Sequence, residues 1–201
     1  MSLTSVESTP KFGMTGACQR FEGRMRSGTR LLLAATLLMA PLGATTLAQL
    51  SLTEMIQQST GIVRAKVVRS FAAYRGTDIY THYTLDVVEN LKATPGSTVD
   101  VAVPGGYLNG VNQSVAGAPQ LVVGQEYVVF LWTSKSGMTQ IIGLSQGLFY
   151  IREDASGNPV LSRPSSSAMM LDASGALVQD QPVSLTLNDL RAAIGKALGG
   201  E

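Results

Sequence analysis

The sequence predicts a mainly β protein, a small closed or partly open barrel with a short helix before it and a second helix at its C terminus. Three observations support this fold class: apolar and polar residues alternate along several segments, glycines interrupt the strand patterns, and capping motifs mark a helix at each end. The chain has 201 residues, of which 45% are hydrophobic and 14% are charged. This composition suits one domain with a buried core.

Residues 1–48 have the composition of a secretory signal. Arg26 and Arg30 precede an uncharged run over residues 31–40, and Ala48 ends a small-residue cleavage motif. The run is too short for a helix that must span ~30 Å of hydrocarbon. We therefore predict a signal peptide, export to a periplasm or out of the cell, and no stable membrane span once the signal is removed.

Both boundaries of this signal have alternatives. Cleavage after Ala48 would leave Gln49 as the first residue, and cleavage after Ala44 is the second choice. The lead before the basic residues is long, which favours translation from Met25 rather than Met1.

Removal of the signal limits the chemistry of the remaining chain. It leaves ten basic and twelve acidic side chains, a formal charge of about −2. Such a surface argues against nucleic-acid binding, which needs clustered Lys and Arg. Cys18, the only cysteine, is removed too, so disulfides, thiolate catalysis and cysteine zinc sites are excluded from a cysteine-free mature chain.

The first elements follow from caps and alternation. Ser51 and Glu54 form a capping box, which predicts a short helix that ends near residues 59–61 with Gly61 as its cap. Alternation then predicts strands over 62–71, 78–91 and 99–103, with turns between them. Residues 107–120 contain glycines, asparagines and a proline without a usable period, and we predict a long loop there.

The sequence pattern is less regular in the second half of the chain. Residues 127–132 are apolar on both faces, as in a central strand, and 139–151 is predicted as a long strand that bends at two glycines. A polar hairpin loop over 152–158 leads to a surface linker over 163–167. A hairpin follows over 168–178, and Thr186 caps the last helix. The predicted domains are a barrel over 49–163 and a segment over 164–201 that packs on it.

Bent strands joined by hairpins favour a five-stranded OB-like barrel, with an open β-sandwich as the alternative. The blocks 62–68, 80–92 and 123–131 resemble the netrin-like domain of the tissue inhibitors of metalloproteinases, and exported bacterial proteins with the same order of blocks. The resemblance covers about residues 50–151. It implies an OB-like barrel that binds a protease or another extracellular partner. Those inhibitors use an N-terminal cysteine on the catalytic zinc, so no inhibitory residue carries over to a cysteine-free chain.

One motif points to catalysis. Residues 143–147 match the Gly-x-Ser-x-Gly nucleophile elbow around Ser145, which requires a strand, a tight turn and a helix. Here a strand pattern follows instead of a helix. The only histidine, His82, lies upstream of Ser145, whereas the histidine of such hydrolases comes last.

The other candidate motifs have structural explanations. His82 is expected on the solvent side of its strand without a role. Asp154, Ser156 and Asn158 have the oxygen spacing of calcium loops but lack the distal glutamate, so a hairpin turn explains them better. Pro104 and the two glycines after it indicate a chain reversal. No catalytic, cofactor-binding or metal-binding residue is therefore predicted.

Apolar residues in the glycine-rich loop suggest a contact site. Tyr107, Leu108 and Val111 have no evident core to enter, and together with Phe71 and Tyr74 they would form an exposed patch. The alternative is that they cover the end of the barrel. The predicted function is an exported, non-enzymatic binding module for an extracellular or envelope protein. The alternative function is a serine hydrolase that uses Ser145.

Overall fold

The computed structural model of the protein describes residues 46–93, 96–166 and 168–199. Of the described residues, 51% lie in strands and 16% in helices, which confirms the predicted mainly β fold with one short helix early and one at the C terminus. Most of the predicted signal, Met25 and Cys18 lie outside the described residues. None of the helices in the described part of the chain is long and apolar enough to cross a membrane.

The described residues form thirteen strands, two α-helices and a 3-10 turn. The strands are β1 (Thr46–Ala48), β2 (Gly61–Arg75), β3 (Asp78–Lys92), β4 (Thr98–Pro104), β5 (Gly106–Leu108), β6 (Val111–Gln113), β7 (Glu126–Thr133), β8 (Thr139–Ile141), β9 (Leu148–Glu153), β10 (Pro159–Arg163), β11 (Met169–Leu171), β12 (Leu177–Val178) and β13 (Val183–Thr186). The helices are α1 (Leu52–Gln58) and α2 (Leu187–Gly199), and the 3-10 turn is Leu144–Gly147.

The main sheet is antiparallel and runs in the order β13-β10-β9-β7-β2-β3-β4, with β8 paired to β7. β8 also lies beside β4, but no ladder joins these two strands in the described structure. The sheet therefore curls without closing, which agrees with the partly open form of the predicted fold. Three register shifts between β2 and β3 provide the curvature that long paired strands need.

A separate hydrophobic core packs on each face of the sheet. The inner core is formed by side chains of β2, β3, β4, β7 and β8, including Val63, Leu85, Val101, Val129 and Ile141. The outer core packs α1 and α2 against β7, β9 and β10, and includes Ile56, Phe130, Phe149, Leu161 and Leu190. Alternate residues of β7 enter the two cores, so the prediction of a central strand that is apolar on both faces is confirmed.

Both predicted helix starts are confirmed. In α1, the Glu54 amide donates to the Ser51 hydroxyl at 3.2 Å, and the Ser51 amide donates to the Glu54 carboxylate at 2.8 Å. At α2, Thr186 and Asp189 make the same reciprocal pair at 3.1 Å in each direction. Each pair satisfies amides that a helix start leaves without partners, which is why a capping box indicates where a helix begins.

The end of α1 is close to the predicted one, but the predicted glycine cap was wrong. Gly61 does not cap the helix; it is the first residue of β2, and the helix ends at Gln58. The ammonium group of Lys92 instead donates to the carbonyl oxygens of Ile56 and Ser59, at 2.5 and 2.6 Å. A cation from β3 thus satisfies carbonyl oxygens at the end of α1, in place of the backbone amides of a glycine cap.

The predicted long strand over 139–151 is broken in the structure. Gly143 and Leu144 both adopt positive φ, 59° and 57°, and open the 3-10 turn between β8 and β9. A Cβ on Gly147 would lie 2.8 Å from the Ile142 carbonyl oxygen, so only glycine fits there. The glycines mark the right place, but they end one strand and start another instead of bending one strand.

The C-terminal third packs on the main sheet. The two predicted hairpins form, β13 pairs with β10, and α2 buries Leu187, Leu190 and Ile194. The prediction of a surface linker over 163–167 needs correction at its first residue, because Arg163 belongs to β10 and its side chain is buried.

Candidate contact surface

The predicted loop over 107–120 starts with a hairpin instead. β5 and β6 pair with each other, and Asn109 and Gly110 connect them with φ of 51° and 83°. Positive φ at both central residues is the geometry of a type I′ turn, which Asn-Gly favours. The Asn-Gly pair between two short apolar segments was the sequence signal that could have predicted this hairpin.

Two adjacent glycines hold the hairpin against β3. The Gly105 amide donates to the Ile79 carbonyl oxygen at 2.8 Å, and the Thr81 hydroxyl donates to the Gly105 carbonyl oxygen at 2.8 Å. A Cβ on Gly106 would lie 2.5 Å from the Thr81 hydroxyl oxygen, at a φ of 144°. The close approach therefore depends on glycine, which lets backbone pack directly on the face of the ribbon formed by β2 and β3.

The far strand of the hairpin is also fixed. The side-chain oxygen of Gln113 accepts a hydrogen bond from the Ile79 amide at 2.7 Å. The following segment crosses the end of the inner core, where Leu121 is buried and the Val122 amide donates to the Tyr127 hydroxyl at 3.0 Å. This segment covers the end of the sheet, so the hairpin projects from an anchored base.

The hairpin exposes apolar side chains to solvent. Tyr107 is 69% exposed and Val111 is 49% exposed, whereas Leu108 is half-buried. The alternative in which these residues cover the end of the barrel therefore does not describe Tyr107 or Val111. Tyr74, near the tip of β2, is also exposed.

Strand alternation separates two residues of the predicted patch. Phe71 pairs with His82, and Tyr74 pairs with Ile79, so their side chains point to opposite faces of the ribbon. Gly106 packs on the face of Ile79. Tyr74 therefore lies on the face of the ribbon on which the hairpin packs, whereas Phe71 lies on the other face. We call Tyr74 together with the hairpin residues Tyr107, Leu108 and Val111 the hairpin surface. Within the hairpin, the paired residues Leu108 and Val111 share one face and Tyr107 lies on the opposite face.

A cavity of about 410 Å³ lies beside the hairpin surface. None of the residues that line it carries a charge; they include Thr81, Tyr83, Tyr107, Asn112, Gln113 and Gln120. Burial of an unpaired charge is costly, so this lining favours uncharged polar or apolar groups over ions. Tyr107 both lines this cavity and is exposed to solvent.

His82 has partners that its sequence position did not indicate. Its Nδ1 lies 2.7 Å from an Asp100 carboxylate oxygen, and its ring stacks on Phe71 with centroids 5.0 Å apart. The guanidinium of Arg69 lies over the Phe71 ring, 4.8 Å from the ring centroid. His82 is half-buried on that face and contacts both Asp100 and Phe71. In the part of the chain that the structure describes, no group of three or more His, Cys, Asp or Glu could hold a metal ion.

Ser145 lies in the 3-10 turn, not at a strand-to-helix elbow. Its hydroxyl oxygen is buried and has no hydrogen-bond partner among the described residues. A nucleophilic serine needs a base within hydrogen-bond reach and access to substrate. This geometry therefore gives the hydrolase alternative no support.

No family model, curated protein or solved structure matches this chain. The resemblance to the netrin-like domain therefore remains a prediction, and the function is inferred from the hairpin surface. Three of its four side chains lie on a hairpin that two glycines and Gln113 anchor to the main sheet, and Tyr74 lies in β2.

Proposed function

We propose that the protein is an exported, non-catalytic binding module of the netrin-like type that contacts an extracellular or envelope protein through the hairpin surface. The observation that carries this proposal is the exposure of Tyr107 on an anchored hairpin. A large aromatic side chain held in solvent by a rigid base loses little conformational entropy when a partner covers it.

The chemistry of the surface favours a protein partner. Protein interfaces are enriched in aromatic residues and depleted of charged residues at their centre, and their strongest contacts lie in well-packed pockets. The hairpin surface supplies Tyr74, Tyr107 and Val111, and the adjacent cavity is lined without charge. A partner side chain that enters the cavity would pack against Tyr107.

Export is the second part of the proposal. It is supported by the basic and apolar composition of residues 24–40. The partner is accordingly sought in the periplasm or outside the cell.

The experiment is affinity capture from the native envelope with the exported protein as bait. Tyr107→Ser should reduce recovery of the specific partner at least about tenfold, which corresponds to roughly 1.4 kcal/mol. Leu177→Ser is the matched control, because Leu177 is 67% exposed, close to the 69% of Tyr107, and lies in β12. Equal recovery with the two variants would contradict the proposal.

A fold control accompanies this test. The double variant Tyr107→Ser, Leu108→Ser should remain soluble and folded, because the hairpin is anchored by Gly105, Gly106 and Gln113 instead of these side chains. Circular dichroism and gel filtration check this. Aggregation or unfolding of the double variant would show that the two side chains are structural.

The non-catalytic part has its own test. A labelled fluorophosphonate should leave Ser145 unmodified in the folded protein, since its hydroxyl is buried and unpaired among the described residues. Peptide mapping by mass spectrometry would detect the adduct. Stoichiometric labelling of Ser145 would support the serine hydrolase instead.

A further inference from the structure

Residues 46–48, at the end of the predicted signal, are part of the fold. β1 pairs in parallel with β11, with Leu47 opposite Met170, and the Gln49 amide donates to the Leu171 carbonyl oxygen at 2.8 Å. β1 therefore forms one edge of the three-stranded sheet β1-β11-β12. Yet β1 lies entirely within the segment that cleavage after Ala48 would remove.

A buried glutamine holds the end of β1. Gln146 is 1% exposed; its side-chain oxygen accepts from the Leu50 amide, and its side-chain nitrogen donates to the Ala48 carbonyl oxygen, both at 2.9 Å. Gly143 packs against this side chain, since a Cβ there would lie 2.9 Å from the Gln146 nitrogen. The amide is thus positioned to bind the backbone on both sides of Gln49.

Leu47 supplies an apolar contact in the same place. A Cβ on Gly117 would lie 3.3 Å from a Leu47 methyl carbon and 3.2 Å from the Ala168 Cβ. Leu47 is half-buried, and β1 therefore covers apolar surface of the segment after the hairpin as well as pairing with β11.

Cleavage after Ala48 would leave this arrangement incomplete. The side-chain nitrogen of Gln146 would lose its acceptor, and the edge of β11 would lose its paired strand. Buried polar groups without partners are costly and rare in native proteins. Cleavage before Thr46 avoids both losses.

We infer that the signal is cleaved after Ala44, so that the mature chain begins at Thr45 and keeps β1. Hydrolysis adds water across the bond between Ala44 and Thr45, which leaves a carboxylate on Ala44 and an amine on Thr45. Ala44 supplies the small residue directly before the cut, but the position two residues before it holds Leu42, where a cut after Ala48 would have the smaller Thr46. This inference rests on the proposed export and selects between the two sites that the sequence allows.

The test is the intact mass and N-terminal sequence of the protein recovered after export from its full-length precursor. A chain that begins at Thr45 supports the inference. A chain that begins at Gln49, or at any other residue, overturns it while export stands. Retention of the uncleaved precursor inside the cell overturns the inference together with the proposed export.

Matched variants locate the cut independently. Ala44→Leu should reduce the processed product at least about tenfold, because a large residue replaces the small one at the cut. Ala48→Leu should process normally, since Ala48 is exposed in β1. The reverse pattern would overturn the inference.

A stability comparison tests the physical argument. Exported chains that begin at Thr45 and at Gln49 are prepared with and without Gln146→Ala. The longer form should have the higher Tm, and Gln146→Ala should lower its Tm by more than it lowers that of the shorter form, because only the longer form has the Ala48 acceptor. Equal Tm values for the two forms would overturn the inference.

Discussion

Among single residues, Arg163 and Asp180 make the most buried charged contact in the described structure. Their side chains are 6% and 1% exposed, and two hydrogen bonds of 2.6 and 2.9 Å join the guanidinium to the carboxylate. The Ser166 amide adds a third bond to Asp180 at 2.7 Å. This bidentate pair connects β10 to the segment before β13, where the sequence suggested only a surface linker.

Removal of one partner should destabilise the protein strongly. Asp180→Asn leaves the Arg163 charge buried without a counter-charge, so the free energy of unfolding should fall by about 3 kcal/mol, as measured by urea denaturation. The control is the double variant Arg163→Met, Asp180→Leu, which removes both charges and should lose less. A change under about 0.5 kcal/mol in Asp180→Asn would show that the pair contributes little.

The same pair makes stability depend on acid pH. Burial alone would raise the pKa of Asp180, but hydrogen bonds from Arg163 and the Ser166 amide outweigh burial and lower that pKa below its ordinary value. The unfolded carboxyl, with a pKa of about 3.9, then takes up its proton first as the pH falls. The stabilisation by the ion pair is therefore fully present at pH values above the pKa of the unfolded carboxyl. It is lost as the pH falls through the lower pKa of the folded state.

Urea denaturation between pH 6 and pH 2 measures this dependence. Glu54, Asp154, Asp172 and Asp189 also have lowered pKa values, because hydroxyl or amide groups donate to them, so the whole protein should lose stability in acid. The double variant without the pair should lose less between these pH values than the wild type. Parallel pH profiles would contradict the assignment to Asp180.

At the scale of elements, the hairpin of β5 and β6 depends on a close backbone contact. Gly106→Ala places a Cβ 2.5 Å from the Thr81 hydroxyl oxygen at positive φ, so it should lower the free energy of unfolding by about 1–3 kcal/mol. Gly124→Ala is the control, because Gly124 has a φ of 90° but a Cβ there would meet no atom within 4 Å. Thermal unfolding compares them. An equal loss in both variants would mean that φ alone explains the effect.

Short motifs predicted elements well where local hydrogen bonds decide the structure. Residues 154–157 and 172–175 both read Asp-Ala-Ser-Gly, and both form the turn of a hairpin in which the aspartate accepts from amides two and four residues later. The two capping boxes behave in the same way. Such hydrogen bonds join residues that are two to four positions apart, so a short stretch of sequence contains all of the partners.

Elements that depend on distant contacts were harder to predict. The cap of α1 comes from Lys92, which lies more than thirty residues after the helix. The end of β2 was also placed too early, at Phe71 instead of Arg75, because Ala72 and Ala73 interrupt the alternation. Since the strand continues, its pleat places Phe71 and Tyr74 on opposite faces, which divides the predicted patch.

At the scale of the whole molecule, β7 joins two cores that the sequence could not locate separately. Its run of apolar residues predicted burial on both faces. The helices and strands that cover each face depend on how the sheet curls, which the run does not reveal. The hairpin surface was predicted in part: Tyr107 and Val111 are exposed, but their anchored hairpin was not foreseen.

A shared central strand should make unfolding cooperative. Trp132, the only tryptophan, lies in β7, so its fluorescence reports on the strand between the two cores, whereas far-ultraviolet circular dichroism reports on all elements. Both signals should change with the same midpoint in urea, because neither core persists without β7. Two separated midpoints would show that the inner and outer cores unfold independently.

The position of β7 between the two cores also bears on how such a protein can diverge. A substitution in this strand must suit neighbours on both sides, so few changes are tolerated there. At the hairpin tip, Asn109 and Gly110 are exposed, and a Cβ on Gly110 would meet no atom within 4 Å. Descendants of one ancestor could therefore exchange that tip to recognise new partners and inherit the rest of the architecture unchanged.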